Sequence, residues 1–81
     1  MNQSRPPSQR QIRIRPVHSS SVAAAGYEPD EQTFRVRFVG GDAYDYLHVP
    51  AQVFRSFLEA PSKGRFVNWQ VKPYFSFRRV S

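Results

Sequence analysis

Eighty-one residues leave room for one domain, and twelve lysines and arginines against six acids give a net charge of +6. Cysteine is absent, which removes disulfide, iron–sulfur and thiolate-zinc frameworks together. No run approaches the ~20 apolar residues of a membrane span, and no apolar stretch follows the basic N-terminus as in a secretory signal, so a cytoplasmic location is expected.

Residues 1–17 are expected to form a disordered basic arm. Arg5, Arg10, Arg13 and Arg15 occur there without an acid, and Ile12 and Ile14 are its one large apolar pair. That is too little apolar surface to offset the entropy of ordering. Residues 18–81 then make a single domain of about 65 residues, a size that buries only about 60% of its unfolded-chain surface. Seven Phe, four Tyr and one Trp must supply most of that burial.

The first strand is expected over Ser21–Tyr27, small and apolar, followed by the turn Glu28-Pro29-Asp30-Glu31. Residues 33–39 alternate strictly, with Phe34, Val36 and Phe38 on one face and Arg35 and Arg37 on the other, the period of a half-buried strand. Gly40-Gly41 marks a hairpin, and Ala43–Val49 returns. Pro50 suits the start of a helix over 51–60, with Val53, Phe54, Phe57 and Leu58 on its apolar stripe. Pro61 limits that helix. Ser62 can cap a second short helix over 63–72, which Pro73 stops. The tail alternates Tyr74, Ser76 and Arg78 against Phe75, Phe77 and Arg79, and suits an edge strand. The predicted fold is α+β: a small antiparallel sheet of three to four strands packed by one or two short helices.

Two registers of the hairpin place Tyr44 and Tyr46 on opposite faces. A two-residue turn at Gly40-Gly41 sets both rings beside Arg35 and Arg37 and buries Asp45 among the phenylalanines, which costs several kcal/mol without a partner. A three-residue loop, Val39 to Gly41 with Gly41 left-handed, instead joins the tyrosines to Phe34 and Val36 and sets Asp45 beside Arg35. The penalty for a buried charge favours the second.

His18 and His48 are the two histidines, 30 positions apart and without a clustered carboxylate, so no metal site and no cofactor are expected. No nucleophile elbow or positioned acid–base pair is present, and a non-enzyme is expected. Ser62-Lys63-Gly64-Arg65 resembles a turn that grips a phosphate, yet it lacks the full phosphate-loop pattern and its preceding strand. Trp69 sits between Arg65 and Lys72. Buried, it would be the largest core residue, which a domain this small favours; exposed, it could stack a base.

The order of landmarks is itself informative. Gly26-Tyr27 ends a small apolar strand, and Phe34-x-Val36-x-Phe38, a glycine turn, Tyr44-x-Tyr46 and Val49-Pro50 follow. A helix ends near Ala60, ahead of Ser62-Lys63-Gly64, Phe66-x-Asn68-x-x-Val71 and an aromatic-basic tail. Over residues 18–80 this resembles the KTSC domain family, short bacterial modules that occur alone and at the C-terminus of some lysyl-tRNA synthetases. The tail departs from the family, reading Tyr74-Phe75-Ser76-Phe77 where members often show a Tyr-Pro-Tyr-like stretch. The resemblance implies an RNA context by association.

Charge and rings together point to a non-catalytic module that binds nucleic acid, RNA or tRNA, through a basic surface interleaved with aromatics. Arg35, Arg37, Lys63, Arg65, Lys72, Arg78 and Arg79 would contact phosphate, and Trp69 with the rims of Tyr44 and Tyr46 would stack. The alternative is a protein-interaction module that accepts a partner strand on an exposed edge, from the first strand or the tail.

Overall fold

A computed structural model describes residues 12–80. Five antiparallel strands lie side by side in chain order: β1 (Arg15–Pro16), β2 (Val22–Glu28), β3 (Thr33–Phe38), β4 (Ala43–Tyr46) and β5 (Phe77–Val80). Two helices, α1 (Ala51–Glu59) and α2 (Lys63–Phe66), pack on one face of this sheet, and α2 continues into a π-helical turn, Val67–Val71. The sheet exceeds the three to four strands expected, because β1 comes from the segment read as arm.

The alternating pattern of β3 sets the register. Phe34 pairs with Tyr46, Arg35 with Asp45 and Val36 with Tyr44. The hairpin closes through the Phe38 amide, which donates to the Asp42 carbonyl at 2.8 Å, and the Gly41 amide, which donates to Phe38 at 3.0 Å. Gly40 and Gly41 hold φ of 108° and 109°, a region costly for any residue with a Cβ. The loop is therefore the three-residue one. Both tyrosines share the face of Phe34 and Val36, and Asp45 lies opposite.

That shared face carries the core: Val22, Phe34, Val36, Tyr46 and Val49 meet Phe57, Val67 and Val71 from the helical layer, all buried. Phe57 is the buried residue of α1, with Val53 and Phe54 packed beside it. Leu58, placed on the apolar stripe by sequence, is half exposed, because one step along a helix turns about 100° away from Phe57.

Ser62 caps α2 as its spacing predicts, accepting from the Arg65 amide at 3.3 Å. The expected α-helix to Lys72 does not continue, however. The Lys72 amide reaches back five residues to the Val67 carbonyl at 2.9 Å. This wider turn buries Val67 and Val71 together and projects Asn68, Trp69 and Gln70 outward. Trp69 is 70% exposed, which corrects the favoured expectation that it joins the core. Gly64 is explained by packing, since a Cβ there would collide with the Ser21 hydroxyl at the approach to β2.

The arm was expected to run through residue 17; residues 1–11 lie outside the described residues, and the rest are placed on the sheet. Arg15 pairs with Ala25 and Pro16 with Ala24, and the Val17 amide donates to Ala23 at 3.1 Å. The outer edge of β2 offers unpaired amides and carbonyls that even a short extended segment satisfies, and proline is tolerated on such an edge. Gly26 admits the crossing chain, because a Cβ at that position would strike the Arg13 carbonyl.

Candidate nucleic-acid interface

The ten side chains expected to form one surface fall into three groups, sorted by the parity of the strands and the pitch of the helical layer. On the face turned away from the helices are Arg35, Arg37 and Arg78. Arg35 grips Asp45 with both prongs, Nε to Oδ1 at 2.7 Å and Nη2 to Oδ2 at 3.0 Å. Arg78, one strand further, lies 3.6 Å from the same carboxylate. Asp45 is only 2% exposed beneath them, so its burial is compensated by charge. The hydrogen bond to Asp45 also raises the Arg35 pKa above its ordinary value.

The second group lies at the rim of the helix-covered face, where β4 and β5 meet the π turn. Tyr44, Tyr46, Phe77 and Lys72 line an open cleft of about 280 Å³. Phe77 meets Tyr44 edge-on, centroids 5.5 Å apart at 86°, and Tyr46 at 6.1 Å. Phe38 extends the ring cluster from the other side, 6.0 Å from Tyr44. Two cations lie over these rings: Lys72 Nζ is 5.3 Å from the Phe38 centroid, and the Arg79 guanidinium is 6.0 Å from that of Tyr44. Arg79 is also held by Asp42 at 2.8 Å. Phe77 remains 60% exposed, although each of its partners is at least half buried. Burial raises the pKa of the Tyr46 hydroxyl, with the neighbouring Tyr44 adding to the effect.

The third group is on the outer side of the helical layer. Arg65 and Trp69, four residues apart, line a shallow groove together with Pro61, Phe66 and Gln70. Lys63 turns inward instead, donating to the carbonyls of Leu58 at 3.1 Å and Ala60 at 2.6 Å. It thereby satisfies the carboxyl end of α1, which carries no basic residue of its own. Lys63 is thus occupied by the fold.

The structure brings together Tyr44, Tyr46, Lys72 and Arg79, sets Arg65 and Trp69 apart on the helical surface, and leaves Arg35, Arg37 and Arg78 on the reverse of the sheet. Phe77 was not among the residues named from sequence. Its alternation with Arg79 in the tail was the available sign, but its contact with Tyr44 depends on the pairing of Tyr46 with Phe77 across some thirty intervening residues. Among the described residues no three His, Asp or Glu side chains converge as a metal site, and no helix is long and apolar enough to cross a membrane.

Comparison with known proteins adds the family context. The model of the KTSC domain matches residues 18–75. A protein from Tsukamurella paurometabola is 53% identical over 62 residues, covering 76% of this chain and 92% of that one. A lysine–tRNA ligase from Nostoc is 36% identical over 62 residues, again 76% of this chain but 11% of the ligase. The crystal structure of a KTSC domain protein from Yersinia pestis superposes with a TM-score of 0.82 at 35% identity, covering 88% of this chain and 100% of that one.

Proposed function

The chain belongs to the KTSC domain family, and from that premise we propose that it is a non-catalytic module that binds RNA by taking unpaired bases into the Tyr44–Tyr46–Phe77 cleft. One observation carries the reading: exposed ring surface and Lys72 share a single concave site, and Arg79 lies over the ring of Tyr44, one of its walls. Bases stack on aromatic faces whatever their identity, while lysine and arginine attract the phosphates between them. Relatives that are lysine–tRNA ligases contain a domain like this one, which supports an RNA context for the family. Trp69 and Arg65, on the outer helical surface, would extend the contact of a longer strand.

Titration with an unstructured RNA of about ten nucleotides at two salt concentrations tests the proposal. Saturable binding that weakens with salt, at a slope of about 0.7 per phosphate engaged, and that drops in Phe77→Ala and Lys72→Ala, is the expected result. Equal binding by both variants and the parent chain would refute the cleft.

A second reading draws on β5, a terminal strand with no partner on its outer edge among the described residues. An acidic extended peptide could add there beside Arg78 and Arg79. The edge of β2 is not available in the same way, since Arg15–Pro16 pairs with it.

A further inference from the structure

We infer that the face of the sheet turned away from the helices holds a phosphate-binding site in which Arg37 and Arg78 contact the ligand and the Arg35–Asp45 pair fixes the ground between them. Two cross-strand rows make the site. One runs Arg35–Asp45–Arg78 and the next Arg37–Ala43–Val80, two residues further along β3 and hence about 7 Å away. The pairing registers of β3, β4 and β5 therefore place two guanidiniums diagonally across a patch whose central residue, Ala43, has almost no side chain. A trough of about 350 Å³ lies over Ala43, walled by Ile14, Arg35, Arg37, Gly41 and Val80, and Arg78 stands outside its walls, in the adjoining row beside Asp45.

Charge accounting decides what the trough accepts. Three arginines against Asp45 leave a surplus of two positive charges over the two rows. Arg35 is committed to Asp45 through both of its prongs. Arg78 makes only the longer 3.6 Å contact and keeps 47% of its side chain exposed, and Arg37 is exposed and pairs with no acid among the described residues. The remaining acids are elsewhere. Asp42 is engaged by Arg79, Glu28, Asp30 and Glu31 belong to the β2–β3 end of the sheet, opposite Gly41, and Glu59 ends α1 in the helical layer. Arg37 in the wall and Arg78 in the adjoining row offer two planar forks on one face of the sheet, which match the tetrahedral oxygens of a phosphate carrying up to two negative charges. No aromatic ring lines this trough, so it would read phosphate and not bases. The site does not depend on the aromatic cleft.

The chemistry fits a phosphate of an RNA strand or a free phosphate compound, and the experiment separates them. The arginine side-chain Nε–Hε resonances of the full chain are followed during titration with inorganic pyrophosphate at constant ionic strength. Saturable shifts confined to Arg37 and Arg78, and about tenfold weaker binding in Arg37→Gln and in Arg78→Gln, are expected. Ala43→Leu, which fills the trough without altering charge, should weaken binding as well, while Phe77→Ala should leave it unchanged. Asp45 keeps its bidentate partner in Arg78→Gln, so the melting temperature should hold and report an intact fold. Shifts spread equally over all arginines including Arg55, or undiminished affinity in Arg37→Gln, would overturn the site. RNA that displaces pyrophosphate identifies the strand backbone as the natural source; RNA and pyrophosphate bound together identify a free phosphate compound, and both outcomes support the trough. Loss of RNA binding in Phe77→Ala with pyrophosphate binding intact, or the reverse, tells failure of one site from failure of the other.

Discussion

Arg35 and Asp45 face each other across β3 and β4 and share two hydrogen bonds, at 2.7 and 3.0 Å, on the side of the sheet away from the helices. The pair explains how a strand that alternates aromatic and acidic residues can bury its acid. It also fixes the parity of the hairpin, because a slip of one residue would move Asp45 among Phe34 and Val36 with no cation in reach.

Asp45→Ala should therefore cost about 3 kcal/mol of stability in urea denaturation, because the largely buried Arg35 loses its bidentate partner. Removing both members, as Arg35→Met with Asp45→Val, should recover most of that loss. A double variant no more stable than Asp45→Ala alone would show that the pair does more than compensate a buried charge.

Gly26→Ala should destabilise the chain by about 1–3 kcal/mol, because its methyl meets the Arg13 carbonyl where the arm crosses β2. In a chain lacking residues 1–17 the same substitution should cost almost nothing. The comparison of the two costs by chemical denaturation checks that the crossing segment belongs to the fold. Equal costs in both backgrounds would contradict it.

Stability should fall as pH rises above about 10, the ordinary tyrosine value. Burial raises the pKa of Tyr46 and of Tyr27, so the folded state favours their neutral forms. A raised folded-state pKa means the contribution is complete below the unfolded-state value and is lost as pH climbs through the folded one. Tyr46→Phe should flatten this alkaline decline in thermal melts recorded from pH 9 to 11. An identical decline in the variant would locate the sensitivity elsewhere.

Trp69→Ala should change stability by no more than about 0.5 kcal/mol, since the indole is 70% exposed. Val71→Ala, two positions on and fully buried, should cost about 2 kcal/mol. Guanidinium denaturation of the two variants tests how the turn is rotated on the sheet, because residues two positions apart lie about 200° around a helix and a turn that buried Trp69 would expose Val71.

Much of this architecture could be read before any coordinates. The β3–β4 register followed from the cost of burying Asp45, and the Ser62 cap and the helix after Pro50 followed from local chemistry. Three features were missed, each for a physical reason. The pairing of Arg15–Pro16 depends on the unsatisfied edge of β2, which no local pattern within the arm reveals. The exposure of Trp69 was missed because a small domain's need for core was weighed above its position, two residues from both Val67 and Val71 and so on the far side of the turn. The meeting of Phe77 with Tyr44 depends on β5 returning beside β4, a contact between segments distant in sequence. The basic residues consequently looked like one surface and are in fact distributed over three.

The most direct test of the cleft is the ring-proton NMR spectrum of Tyr44 and Phe77 as unstructured RNA is added. Stacked bases should move both sets of resonances upfield and saturate together, while the rings of Phe34 and Phe57 in the core remain still. Saturable RNA binding that leaves Tyr44 and Phe77 unmoved would contradict the account.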